Sequence, residues 1–415
     1  MINNDFNLKG IKYTLPSNTY TLQYIEKIMI ATVNSYGYEE IRLPILEKTS
    51  LFTRTLGPNS DVIEKEMFTF IDKDKNSLTL RPEGTAGCTK AMINSGSLRN
   101  NQKHKVWYIG QMFRREKPQM GRLRQFSQFG IEAYGFKDYD IDLEHIIIIN
   151  NIFKKLNINN LILEINYIGN KIDRDNYQND LRNYFKNNIK NLSDINKNRL
   201  INNPIRILDD DNVKNKPDIP ILVNYLNEDC KKKFFHIKKS LEYLEIPFTI
   251  NNILVRGLDY YNGLVYEWKT IIDNKKISIC AGGRYDTLSQ QLNGPETYGC
   301  GNAIGIERLE LITKNNIKKI EKKLYIVFNK NNEIRYNLKI SEKIRYKLNN
   351  LEILNGDINK SIEKQIQIAK NMKIKIIIII NDEIHKNIKI INLEKKSEKE
   401  IDISEINNHI SMQNV

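Results

Sequence analysis

Apolar residues first recur at helical spacing over residues 19–36, where Leu22, Ile25, Ile28 and Met29 share a face and Gly37 supplies the stop. The next stretch, YEEIRLPIL from Tyr38 to Leu46, reads as a strand. Pro44 within it lacks a backbone donor and assigns it to a sheet edge or an interface. KEMFTFID and SLTLRP, joined by the turn-rich KDKN, predict a hairpin over 66–80. A short helix is predicted over Thr85–Ser95, strands over 106–114 and 125–134, and a helix over 142–156, where spacing outweighs the β-branched isoleucines. From about 168 to 250 the texture turns rich in Asn, Lys and Asp, with DDD and KNK clusters, and predicts an inserted helical domain. Dense, glycine-rich sequence returns at 254–312, followed by the charged linker KNNIKKIEKK at 314–323. The tail, 324–415, alternates strand, helix, strand, helix, strand, strand and helix, the pattern of a small α/β domain.

Composition narrows this picture. At about 100–200 residues per domain, 415 residues make two to four domains. The 64 Lys+Arg against 50 Asp+Glu leave a net charge of +14, which fits a polyanionic partner such as nucleic acid. A Lys/Asn/Ile bias running through the whole chain gives the same number with no partner at all. The four cysteines are scattered without CxxC and the five histidines without HxxxH, which argues against a zinc site or disulfide framework and for a reduced cytosol. The apolar runs Ile146–Ile149 and Ile376–Ile380 fall far short of the roughly 20 residues of a membrane span. MINNDFNLKG has neither an apolar signal core nor an amphipathic presequence, so a cytoplasmic protein is expected.

The candidate chemistry starts at FRREKPQMGRLRQFSQFGIEAYG, Phe113–Gly135. On the strand, Phe126, Gln128, Gly130, Glu132 and Tyr134 share one face, and Ser127, Phe129, Ile131 and Ala133 the other. The second set reads as core. The first, with an amide and a carboxylate in line beside aromatic rings, either lines a pocket or faces water. The preceding loop carries Arg115, Lys117, Arg122 and Arg124, suited to phosphate contacts or simply to solubility.

This stretch resembles motif 2 of class II aminoacyl-tRNA synthetases, and the QFSQFGIE form is similar to that of the histidyl-tRNA synthetase family. Other segments resemble the same family in order. YGYEEIRLPILEKTSLFTRTLG is similar to motif 1, with Pro44 at a dimer-forming strand, and LTLRPEGTA (Leu78–Ala86) to the amino-acid-binding segment. LVRGLDYYNGLVYEW (Leu254–Trp268) and CAGGRYDTL (Cys280–Leu288) resemble the two histidine signatures, and GCGNAIGIERLEL (Gly299–Leu311) resembles motif 3. Tyr13 departs from the pattern, standing where the family usually carries an aspartate.

The resemblance implies an α+β catalytic domain, a mostly antiparallel sheet flanked by helices, with a helical insertion and a C-terminal α/β anticodon-binding domain. The expected boundaries are 1–167 and 254–318 for the two parts of the catalytic domain, 168–253 for the insertion and 322–415 for the anticodon-binding domain. It implies a homodimer that uses ATP with Mg2+, L-histidine and tRNA(His). Arg114 and Arg256 would flank the reacting phosphate as the catalytic pair. Arg122 and Arg308 would hold the outer phosphates, Glu116 would orient the arginines or the adenine amine, and Phe126 would stack on adenine. Glu83, Gly84 and Thr85 would take the histidine ammonium, Gln128 and Glu132 would read the amino group and ring, and Tyr260, Tyr261 and Tyr285 would wall the imidazole. The competing reading is a catalytically silent relative that binds histidine as a regulatory subunit of ATP phosphoribosyltransferase. Such chains typically lose the RGLDYY-type signature and the tail, both of which are present here.

Overall fold

The alternation over 125–134 is realised as a strand with two different faces. A computed structural model describes residues 8–57, 60, 62–117, 121–186, 192–210, 213, 218–272, 274–314, 317, 323–381 and 387–410. Most of the charged linker at 314–323 and the KNK cluster lie outside the described residues. The chain forms two units, Met1–Ile317 and Lys318–Val415.

The strands of the first unit are β1 (Glu39–Glu40), β2 (Leu46–Lys48), β3 (Phe68–Ile71), β4 (Ser77–Leu80), β5 (His104–Phe113), β6 (Gln125–Tyr134), β7 (Ile162–Tyr167), β8 (Phe248–Ile250), β9 (Asn262–Ile272), β10 (Lys275–Arg284) and β11 (Gly299–Gly305). Eight of them form one sheet in the order β1-β5-β6-β11-β10-β9-β7-β8. Only its outermost pairs, β1 with β5 and β7 with β8, are parallel; the rest are antiparallel. β2, β4 and β3 make a small antiparallel sheet. The expected α+β class is therefore found.

One face of the large sheet is packed by helices. Ile25, Met29 and Val33 from Pro16–Asn34, and Ile146, Ile149 and Phe153 from Asp140–Lys155, meet Trp107, Phe129 and Ile131 of β5 and β6. The helix Glu228–Tyr243, which sequence texture places in the inserted domain, buries Phe234, Ile237 and Leu241 in this same core. The opposite face carries Tyr108 and Tyr134 into a second core, shared with the helix Thr85–Asn94 and with Tyr177, Leu181 and Phe185 of the inserted helix Lys171–Lys186. The polar residues of β6 open onto this second side.

The expected single strand over Tyr38–Leu46 is split. Residues 41–45 lie between the two ladders: the Ile41 N–H still donates to the Trp107 carbonyl (2.8 Å), and Arg81 takes the carbonyls of residues 43–45. Its Nη1 donates to the carbonyl oxygens of Leu43 (2.9 Å) and Pro44 (3.3 Å), and its backbone N–H donates to that of Ile45 (2.9 Å). Arg81 is buried, and Gly110 makes room for it: a Cβ there would stand 2.1 Å from Nη2.

In the second unit, β12 (Lys323–Val327), β13 (Glu352–Asn355), β14 (Ile376–Ile380), β15 (Asn387–Asn392) and β16 (Ser397–Asp402) lie in the order β13-β12-β14-β15-β16. The helices Ile334–Lys347 and Ile362–Asn371 complete the predicted alternation. β16 has no apolar period to announce it. It is a charged edge strand with only Ile401 buried, a composition that discourages further pairing at an open edge.

GGR of the glycine-rich segment has a structural duty. Arg284 Nε donates to both carboxylate oxygens of Asp142 (3.3 and 3.1 Å), and its Nη atoms donate to the carbonyls of Phe136 (2.9 Å) and Asp138 (2.8 Å). Both side chains are buried. Replacing Arg284 by Met strands a buried carboxylate, so urea unfolding should show a loss of about 3–5 kcal/mol, much of it recovered by Asp142→Leu in the same chain.

Candidate active site

The site lies on the side of the sheet away from the packed helices, in a cavity of about 340 Å3. Four arginines line it: Arg114, Arg122, Arg256 and Arg308. They come from the end of β5, the loop before β6, the loop before β9 and the helix Ile306–Thr313, so the sheet order brings together residues far apart in sequence. Each is steered by fixed acceptors or a ring. Arg114 Nε donates to the Pro82 carbonyl (2.8 Å), and its guanidinium stands 5.5 Å from the Phe126 ring centre. Arg122 pairs with Glu116 at 3.3 Å. Arg308 donates through Nε to the Gly121 carbonyl (2.9 Å) and through Nη1 to that of Ser278. Burial first, and then the neighbouring cations Arg122 and Arg114, hold the Arg308 guanidinium below its ordinary value. A cluster of cations that repel one another is a site stabilised by an anion.

Arg256 forms an ion pair with Glu267 of β9, and its buried Nε has no partner. Glu267 in turn meets Lys269 (3.1 Å), which also holds Glu164 (2.7 Å). Alternation along VYEWK puts Glu267 on the cavity face, a signal available in the sequence but not read as part of the site.

The other end of the cavity is lined by Glu83, Thr85, Gln128, Tyr260 and Tyr261. Glu83 accepts from the backbone N–H groups of Thr85 (2.7 Å) and Ala86 (2.9 Å), so it caps the helix Thr85–Asn94 while facing the cavity. Burial pushes its carboxyl up, against the downward pull of those two hydrogen bonds. Gln128 Oε1 is buried without a partner, an acceptor available to a ligand donor. Tyr260, Tyr261 and Tyr285 pack with ring centres 4.7–6.4 Å apart.

Glu132 and Tyr285 sit beneath the cavity wall rather than on it. Glu132 is fully buried and accepts hydrogen bonds from Thr85 Oγ1 (2.7 Å), the Tyr108 hydroxyl (3.1 Å) and the Tyr285 hydroxyl. Space for this network comes from glycines. Gly301 lies directly opposite Glu132 in the ladder, and a Cβ there would fall 1.6 Å from the carboxylate. The Tyr108 ring is held between Gly84 and Gly130, where Cβ atoms would fall 2.3 and 2.2 Å from it. Gly84 thus gives passage to Tyr108 and is not itself on the cavity wall. Tyr108, absent from the sequence reading, shows only through this long-range fit.

A mostly antiparallel sheet bearing an arginine-lined cavity is the architecture of class II aminoacyl-tRNA synthetases. The family model described as histidyl-tRNA synthetase matches residues 10–172 and 223–309. The chain is 43% identical over 405 residues to the histidine–tRNA ligase of Blochmanniella pennsylvanica (strain BPEN), covering 95% of this chain and 92% of that one. It is 44% identical over 391 residues to that of Buchnera aphidicola subsp. Schizaphis graminum (strain Sg), covering 92% and 91%. The crystal structure of apo S. aureus histidyl-tRNA synthetase superposes with a TM-score of 0.80 at 30% identity, over 99% of both chains. The chain belongs to the histidyl-tRNA synthetase family.

Burial, opposed by the hydrogen bonds from Tyr285 and Thr85, pushes the Glu132 carboxyl up from 4.5 to about 8. Between those values the folded chain binds a proton that the unfolded chain has released, so this group subtracts stability as pH rises through the window. Urea midpoints of the wild type should therefore fall more between about pH 5 and pH 8 than those of Glu132→Gln. Equal falls would remove the burial-driven shift.

Proposed function

We propose that this chain performs histidine–tRNA ligation at the cavity described. The histidine carboxylate attacks the α-phosphorus of ATP, giving histidyl-adenylate and pyrophosphate. A ribose hydroxyl at the 3′ end of tRNA(His) then takes the histidyl group. The observation that carries this reading is the convergence of the arginines with the Glu83, Gln128 and Tyr260–Tyr261 wall in one cavity. The carboxylate nucleophile is ionised at neutral pH, so the first step needs no general base. It needs alignment, and positive charge where negative charge builds up. Arg114 and Arg256 supply these at the reacting phosphate, Arg122 and Arg308 hold the outer phosphates, Phe126 stacks on adenine, and Glu116 orients the adenine amine or Arg122.

Glu83, Thr85 and Gln128 take the ammonium. The Thr85 proton is committed to Glu132, which leaves the lone pairs of its hydroxyl for an incoming donor. Gly84 shapes this wall by admitting Tyr108. Tyr260 and Tyr261 on the wall meet the imidazole, and Glu132 with Tyr285 reads it from beneath, through the field of the carboxyl and the hydroxyls it holds; an apolar competitor brings no charge or donor to answer it. Among the described residues no group of three or more His, Cys, Asp or Glu side chains could hold a metal ion. Mg2+ is accordingly assigned only as the counter-ion that arrives on ATP, and no step is routed through it.

A homodimer is supported by the exposed Ile45, Leu46, Phe70 and Ile71 around motif 1. The net charge of +14 suits tRNA, with the second unit as the anticodon-binding domain. No described helix is long and apolar enough to cross a membrane, in keeping with the proposed cytoplasmic location.

Pyrophosphate exchange into ATP, run with each of the twenty amino acids, tests the assignment. Exchange with histidine alone is expected. No exchange from folded protein that still binds histidine would favour the regulatory-paralogue reading. Arg256→Ala should abolish exchange while the dimer measured by sedimentation stays intact; a well-folded variant that still exchanges removes Arg256 from the reaction.

A further inference from the structure

The loop from Arg256 to Tyr261 supplies a cation and two tyrosines to the cavity, yet none of its residues lies in a helix or strand. Its geometry is set from outside. Asp259 is the anchor. Its Oδ1 accepts from Arg206 Nη2 (3.1 Å) and Asn203 Nδ2 (3.3 Å), both in the inserted segment. Its other oxygen rests against Gly57, where a Cβ would fall 1.9 Å away, and its backbone N–H points to the Leu56 carbonyl at 3.4 Å. A second tie runs from Arg174 Nη1 to the Tyr261 carbonyl. Apolar packing follows the same route: Leu254, Tyr260 and Tyr261 share a core with Tyr177, Leu200 and Ile207 of the insertion. Arg206 is buried while Asp259 is partly exposed, so the pair is desolvated on the Arg206 side.

We propose that Asn203, Arg206 and Arg174 are positioning residues for the histidine site, which makes the inserted segment the back wall of the amino-acid pocket. They touch no substrate and act by fixing Asp259 and the Tyr261 carbonyl, and through them Arg256, Tyr260 and Tyr261. The matched family segments leave out 173–222, so this contribution sits almost entirely in the stretch that motif reading passes over. The proposal rests on the histidine-activating function given above.

The test is pyrophosphate exchange with the full chain, varying histidine and ATP separately. For Arg206→Met, KM for histidine should rise about tenfold and kcat fall, with KM for ATP within about twofold, because Arg122, Phe126 and Arg308 stand on other elements. Arg206→Lys should recover part of the loss, and Arg206→Met combined with Asp259→Asn should be no worse than the poorer single variant. Equal rises in both KM values, or fully additive losses, would overturn the proposal. If Arg206→Met fails to fold by thermal melting, Asn203→Ala decides: a rise of about threefold in KM for histidine alone supports positioning, and an unchanged KM overturns it. Wild-type protein without histidine-dependent exchange would instead overturn the function on which the proposal rests.

Discussion

A fully buried carboxylate with no cation among its hydrogen-bond partners constrains much of the catalytic unit. Glu132 is held by the hydroxyls of Thr85, Tyr108 and Tyr285, which come from three separate parts of the chain. Leaving a carboxyl oxygen unpaired in that environment costs more than any one of these bonds returns. The surrounding strands must therefore keep their register to within one residue, since a slip would turn Glu132 into the helix-packed core. The glycines follow from the same requirement. Gly301 faces the carboxylate, while Gly84 and Gly130 flank the ring that reaches it. Within the glycine-rich segment, Gly301 is the residue whose missing side chain leaves the space that Glu132 occupies.

The arginine end of the cavity obeys a different rule. Its cations are not neutralised one for one. Arg114 and Arg308 lean on backbone carbonyls, which orient a guanidinium without cancelling its charge. Glu116 and Glu267 steady Arg122 and Arg256. The result is preorganised positive potential at one end and a polar, partly unpartnered wall at the other, joined by one sheet. An anionic nucleotide and a small cationic amino acid have complementary places in such a cavity.

Legibility in the sequence tracked the range of the interactions involved. The faces of β6 were readable because strand periodicity is local, and because Phe129 and Ile131 differ so plainly from Gln128 and Glu132. Arg114, Arg122, Arg256 and Arg308 were readable from their motif settings, and the sheet brings all four to one cavity. The break at residues 41–45 was not readable, because the acceptors there are claimed by the side chain of Arg81. β16 was missed because a charged edge strand carries no apolar period. Tyr108 and the Asn203–Arg206 anchor escaped for the same kind of reason. Each earns its place through a partner many residues away, and neither stands in a pattern of its own.

The central claim is that Glu132, from beneath the cavity wall and through the hydroxyls it holds, sets how the pocket reads histidine. Equilibrium titration of histidine into the wild type and Glu132→Gln, without ATP, tests it most directly. The account predicts a loss of at least about tenfold in histidine affinity, since a carboxyl that can ionise beside the cationic ligand is replaced by an amide that cannot, with ATP affinity unchanged. Histidine binding as tightly to Glu132→Gln as to the wild type would contradict it.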